Sequence, residues 1–299
     1  MKPPKFEYHD PSTVDEALGL IANLGEEAKL LAGGMSLVPL LNFRLASPDH
    51  LIDLNRIGDL VGIKCQDEKL TISAMTRQAT MEHSAMVDDG WPMLTEAIGW
   101  VAHAQIRNRG TVGGSVAHAD PSAELPVAFA ALEARMTVAS KKGTRTIQAS
   151  DFFVTQLTTS MEPDEMLLSI EVDPLPEKTG HAFVEFARRH GDYALGGAAA
   201  LLTLDESGIC IRARIALLAA APTPIRAEAA EEVLIGSTVD AAAAAEAASK
   251  VVDRISPTGD IHGSTEYRRD LCGVMVKRAL LAAASRANGR SPARNGAVA

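Results

Sequence analysis

The stretch Gln105-Ile106-Arg107-Asn108-Arg109-Gly110-Thr111-Val112-Gly113-Gly114-Ser115-Val116-Ala117-His118-Ala119-Asp120-Pro121 decides how this chain is read, because a second Gly-Gly loop, Ala32-Gly33-Gly34-Met35-Ser36, precedes it. Glycine has no Cβ, tolerates positive φ and lets backbone N–H groups approach a ligand closely. Consecutive amides in such a turn form an anion-binding concavity. One Gly-Gly pair alone reads as a turn. Two loops, each entered from an apolar run and each followed by a small hydroxyl residue, read as two clamps on one phosphate-rich cofactor. The first follows Lys29-Leu30-Leu31-Ala32, a short buried-strand pattern, and precedes Leu37-Val38-Pro39-Leu40-Leu41, so strand, glycine turn and apolar segment make a pyrophosphate grip. Neither loop is a Walker or Rossmann fingerprint: Gly33-Gly34-Met35-Ser36 lacks the later glycine of GxGxxG, and no Gly-Lys-Ser/Thr occurs.

Outward from the loops, Thr13-Val14-Asp15-Glu16 has the form of a capping box, and Val14, Ala17, Leu18, Ile21 and Leu24 follow at helical spacing until Gly25. Leu51-Ile52-Asp53-Leu54 and Leu70-Thr71-Ile72-Ser73 read as strands, giving a β-α-β-like opening around the first loop. Residues 91–109 read as largely helical, as does Ala123 to Leu132. Arg135 to Ala139 and Met166 to Val172 read as strands. Pro174-Leu175-Pro176-Glu177-Lys178-Thr179-Gly180 is rich in turn residues and marks a boundary. Beyond it come strand-like runs at His181 to Arg188, Gly197 to Leu204 and Cys210 to Ala219, then helices near 224–235, 239–253 and 265–286. The pattern is α+β, with a domain over 1–176 (subdomains about 1–55 and 56–176), a second over 177–286, and a polar tail over 287–299 expected to be disordered.

The chain has 299 residues, enough to bury a substantial core in two or three compact units. With 22% charged residues and a formal net charge of −9, a nucleic-acid footprint is not expected. Cys65, Cys210 and Cys272 lie far apart without CxxC spacing, so neither a disulfide framework nor a cysteine-bound cluster is encoded. No signal-peptide core or bilayer-length apolar segment is present, and a reducing cytoplasm is the expected compartment. His118-Ala119-Asp120 is not a metal motif, because no HExxH and no clustered third ligand accompanies it, so no metal site is expected.

Six segments resemble the FAD-binding medium subunit of the molybdenum hydroxylases, the group that includes aerobic carbon monoxide dehydrogenase and xanthine dehydrogenase. They are Ala32 to Leu37, Leu51 to Leu54, Ile106 to Ser115, Ala117 to Pro121, Glu124-Leu125-Pro126 and Gly191-Asp192-Tyr193-Ala194, in the family's order and spacing. The resemblance implies a two-part FAD-binding domain of the vanillyl-alcohol-oxidase or cresol-methylhydroxylase type, and a C-terminal domain with a three-stranded antiparallel sheet and helices. It implies FAD as cofactor, a small [2Fe-2S] subunit and a large molybdenum-cofactor subunit as partners, and a dimer of heterotrimers.

By the same resemblance, Ala32, Gly33, Gly34, Met35, Gly113 and Gly114 grip the pyrophosphate through the backbone, and Ser36, Thr111 and Ser115 add hydroxyls; turn capping is the alternative role of those hydroxyls. Glu124 matches an acceptor for hydroxyls of the cofactor's sugar or ribityl chain, its alternative role being helix N-terminal charge. Tyr193 matches an aromatic beside the isoalloxazine ring. Leu37, Val101 and Leu167 match apolar walls, and His118 a cofactor-proximal hydrogen-bonding group. At Val184-Glu185, where that family often carries a lysine, none stands here. No residue of this chain is expected to act as a general base. Two other readings stay open: a self-sufficient flavin oxidase or dehydrogenase, and a non-catalytic assembly subunit whose glycine loops are only turns.

Overall fold

The structure is a computed structural model and describes residues 2–289; the expected tail lies outside the described residues from 290 onward. The chain forms two compact units that are not contiguous in sequence. The first takes the chain up to Ala85 together with Ala102–Asp120 and Glu133–Asp173, and the second takes Met86–Val101, Pro121–Leu132 and the chain from Pro174.

The first unit holds two main sheets. A parallel sheet is built from β1 (Glu7–His9), β2 (Ala28–Leu31) and β3 (His50–Asp53) in the order β1-β3-β2. The helix Val14–Leu24 starts where the sequence places it: Thr13 accepts from the Glu16 amide at 3.2 Å, and the Glu16 carboxylate accepts from the Thr13 amide at 3.3 Å. That reciprocal cap satisfies amides the first helical turn leaves orphaned. Its buried face, Ala17, Leu18 and Ile21, packs with Ile52, Leu54 and Met166 in one core cluster. The chain then runs through β4 (Ile63–Gln66), β5 (Lys69–Ser73), β6 (Arg135–Ser140) and β7 (Gly143–Gln148), a small hairpin of β8 (Phe153–Thr155) and β9 (Thr158–Thr159), and β10 (Met166–Val172). Without the hairpin, these strands form an antiparallel sheet in the order β4-β5-β10-β6-β7. A bulge between Leu167 and Ser169 lets Met166 and Leu167 both be buried, where strict alternation would expose one.

The second unit is built on one antiparallel sheet, β11 (Thr179–Phe186), β12 (Gly196–Leu204), β13 (Cys210–Leu218) and β14 (Ile225–Arg226), in that order. The sheet therefore has four strands where the resemblance implies three. The fourth is two residues long, pairing with Ala216 and Leu217, and its residues fall in the segment read from sequence as helix, which begins only at Glu228. Every residue of β12 is buried, because the sheet is covered on both faces. On one face Ala198, Ala200 and Leu202 join Cys272, Met275, Val276 and Ala279 of the helix Thr265–Ala287. A Cβ on Gly180 would overlap the Ala283 carbonyl of that helix, so glycine sets the packing distance there. The expected helix over 91–109 is broken into Pro92–Trp100 and Ala104–Arg107 by Ala102 at φ 41°. Among the described residues no helix is long and apolar enough to cross a membrane.

Candidate functional site

The two glycine loops, far apart in sequence, meet within the first unit. A Cβ on Gly33 would overlap the Arg109 carbonyl oxygen and come within 2.8 Å of Gly110 Cα, and a Cβ on Gly114 would stand 3.3 Å from the Ala32 Cβ. Glycine is required at 33 for this close approach, while Gly34, at φ 76°, is required for its backbone conformation. Two polar side chains tie the loops together. Asn55 donates through Nδ2 to the Ala32 carbonyl at 2.9 Å, and its Oδ1 accepts from Arg77 at 2.6 Å. Arg77 then donates to the Arg109 carbonyl at 2.5 Å. Burial, followed by the charge of Arg109, lowers the pKa of the Arg77 guanidinium from its ordinary value.

The loops use their amides differently. In the second, Val112 donates to the Thr76 carbonyl (2.9 Å), Gly113 to that of Ala74 (2.8 Å), Ser115 to that of Thr111 (3.1 Å), and Gly114 to the Thr111 hydroxyl (3.1 Å). Those amides are committed inside the protein, and Thr111 caps the helix Val112–His118. In the first loop, the amides of Gly33, Gly34, Met35, Ser36 and Leu37 donate to no protein acceptor among the described residues. Gly33 is buried and the other four residues are half-buried; a buried amide is almost always paired, so a run of amides left to partners outside the protein is suited to an anion. Ser36 begins the helix Leu37–Asn42 without capping it. The hydroxyls of Ser36 and Ser115 and the ring of His118 likewise make no hydrogen bond among the described residues, and all three side chains are half-buried. Leu167 is buried at the bulge of β10.

Val101, Glu124 and Tyr193 belong to the second unit. Val101 ends the helix Pro92–Trp100, and Glu124 starts the helix Glu124–Ala131 with only 8% of its surface exposed. Tyr193 is 72% exposed, so a core-packing role is excluded for it in this chain. Glu185, singled out in the sequence only for not being lysine, is 7% exposed on β11 opposite Gly197, and its Oε2 has no hydrogen-bond partner among the described residues. Burial, with the charge of Glu124 adding to it, pushes the Glu185 carboxyl up to about 9.

Sequence reasoning does not identify Asn55, Arg77 or Glu185 as functional candidates. Asn55 follows directly on the Leu51-Ile52-Asp53-Leu54 segment, which could have drawn attention to it; Arg77 carries no local signal.

Two family descriptions match the chain: the FAD binding domain in molybdopterin dehydrogenase over residues 4–176, and the CO dehydrogenase flavoprotein C-terminal domain over residues 181–283. The 6-hydroxypseudooxynicotine dehydrogenase complex subunit alpha of Paenarthrobacter nicotinovorans is 47% identical, across 96% of this chain and 97% of that one. The carbon monoxide dehydrogenase medium chain of Hydrogenophaga pseudoflava is 39% identical, across 96% and 99%. A solved structure of the Hydrogenophaga pseudoflava enzyme, in a form lacking the Mo-pyranopterin moiety of its cofactor, superposes with a TM-score of 0.93 at 41% identity, covering 96% of this chain and 99% of that one.

Proposed function

Because this chain belongs to the family of FAD-binding flavoprotein subunits of molybdopterin dehydrogenases, we propose that it passes electrons through FAD from [2Fe-2S] centres of a small partner subunit to an external acceptor. A large subunit carrying the molybdenum cofactor completes the proposed complex, arranged as a dimer of heterotrimers in the cytoplasm. The first unit, in this reading, is a flavin-binding fold of the vanillyl-alcohol-oxidase type. FAD, when bound, supplies the capacity to take up and release electrons, and the protein supplies binding, orientation and electrostatics.

The observation that carries the reading is the run of five amides from Gly33 to Leu37 without protein acceptors among the described residues. Neutral donors of this kind hold a diphosphate without a lysine, each hydrogen bond to a charged oxygen contributing about 1.5–3 kcal/mol. The second loop supports the first. Its Gly110, Gly113 and Gly114 let it seat against Gln78, Ala74 and Ala32, which fixes the first loop in its donor conformation. Thr111 still has its hydroxyl hydrogen to give. Ser36, Ser115 and His118 are proposed side-chain contacts of the same unit; Val101, Glu124 and Tyr193 are those proposed for the second unit, and Leu37 and Leu167 are proposed apolar contacts.

The test is a comparison of ligands on the flavin-free chain. FAD is expected to bind at one equivalent and at least about 100-fold more tightly than riboflavin, since riboflavin offers nothing to the amide run. Equal affinities would remove the cradle from the proposal. A chain that takes up no FAD would instead be an assembly subunit, and one whose flavin is reduced by a small substrate without partners would be a self-sufficient oxidase or dehydrogenase.

Tyr193 supplies a second expected result. Its exposure predicts that Tyr193→Ala changes unfolding free energy by no more than about 0.5 kcal/mol, while stacking predicts an altered visible flavin spectrum and altered reduction kinetics. A variant with the parent's spectrum and kinetics would place Tyr193 away from the ring.

A further inference from the structure

The parallel pairing of β1 with β3 brings together three side chains that lie in two distant parts of the sequence. The register sets Glu7 beside His50 and His9 beside Ile52, and alternation along β1 puts Glu7 and His9 on one face. His9 Nε2 lies 3.1 Å from His50 Nδ1, Glu7 Oε2 lies 3.6 Å from His50 Nδ1, and Glu7 Oε1 lies 3.9 Å from His9 Nε2. Both imidazole side chains are 19% exposed and the carboxylate 68%. On the neighbouring chain positions, Tyr8 donates to Asp53 at 2.7 Å and Arg56 pairs with Asp10 at 2.6 Å, so β1 is held on both sides of the cluster.

Two ring nitrogens, which share a hydrogen bond with each other, and a carboxylate, with their ligand atoms all within 4.8 Å of one another, form a set richer in lone pairs than in hydrogens. A four-coordinate zinc ion, with bonds of about 2.0–2.2 Å to nitrogen and oxygen, spaces its ligand atoms about 3.2–3.6 Å apart. The two rings already stand close to that spacing, and the exposed glutamate needs only a side-chain rotation to complete it. Two nitrogens and one oxygen, with no thiolate, suit a divalent ion of the zinc and copper group, whose hard oxygen-preferring counterparts favour all-oxygen sets.

We propose that Glu7, His9 and His50 form a three-ligand site for a divalent transition ion of the zinc class, which fastens the edge strand β1 to β3. A fourth position is left to water. The sequence hides this site because 41 residues separate His9 from His50, and only the parallel register reunites them.

Untagged, chelator-stripped chain titrated calorimetrically with zinc sulfate is expected to bind one equivalent. His9→Gln and His50→Gln each lose about a hundredfold or more in affinity, the share of one ligand in a structural zinc site, while His83→Gln, an exposed histidine elsewhere, binds as the parent does. Zinc also raises the thermal midpoint of the parent and not of the His9 or His50 variants. No zinc uptake by the parent, or uptake unchanged in both variants, overturns the site. If a variant fails to fold, imidazole resonances of the parent decide: shifts confined to His9 and His50 on adding zinc support the site, and shifts elsewhere overturn it.

Discussion

Gly33→Val is expected to lower the unfolding free energy of the chain by about 1–3 kcal/mol and to cut FAD occupancy severely at concentrations that saturate the parent. The reason is space, not backbone conformation. A Cβ at residue 33 meets the Arg109 carbonyl oxygen, Gly110 Cα at 2.8 Å and Arg109 C at 3.0 Å, and none of these is a side chain that can rotate aside. Arg109 is further held by the hydrogen bond from Arg77 to its carbonyl, so the second loop cannot retreat without breaking that contact. The first loop must move instead, and with it the run of amides from Gly33 to Leu37. Gly58→Ala is the matching control: nothing lies within 4 Å of its added Cβ, and it should leave both stability and flavin content near the parent's. Urea unfolding and the ratio of flavin to protein absorbance measure the two effects. A Gly33→Val chain with the parent's midpoint and flavin content would mean that the two loops do not meet as described.

How much of this is readable from sequence depends on whether the signal is local. The capping box at Thr13 and Glu16, the apolar runs of β3 and β10 and the first glycine loop are patterns within a few residues, and each forms where the sequence places it, whereas Gly113 and Gly114, read from sequence as a loop, lie inside the helix Val112–His118. Two edge strands, β7 and β14, are not readable for the opposite reason. β7 is exposed at every position but Ile147, so Gly143-Thr144-Arg145-Thr146 offers no apolar alternation to detect. β14 is too short to carry a pattern at all. The division of labour between the loops is equally hidden, since Gly33 and Gly113 look alike in sequence; only the partners of their amides, Ala74 for Gly113 and no protein acceptor among the described residues for Gly33, tell them apart. Asn55 and Arg77 act across the fold, and no spacing rule connects them to either loop.

Glu185→Gln is expected to become progressively more stable than the parent as pH rises. Buried on β11, with Glu124 adding a like charge, the Glu185 carboxyl keeps its proton up to about 9 in the folded chain, whereas in the unfolded chain it ionises in the ordinary range near 4.5. Between those two values the unfolded state holds fewer protons at this residue, so the residue's contribution to stability falls as pH rises from about 4.5 and is fully lost above about 9. At pH 7 the accumulated difference is about 3 kcal/mol. Other groups near this strand, Glu96 with His181 and Arg286, sit at its His181 end and are unchanged in the variant. Glutamine keeps the shape and removes the titration. The unfolding free energies of variant and parent, compared at a fixed excess of FAD, should therefore diverge by about 3 kcal/mol between about pH 4.5 and pH 7. A difference that stays constant across that range would show that Glu185 ionises normally and has a counter-charge in solution. The protonated state also changes what the missing lysine means: at neutral pH position 185 is neutral, so it departs from a lysine by one charge and not by two.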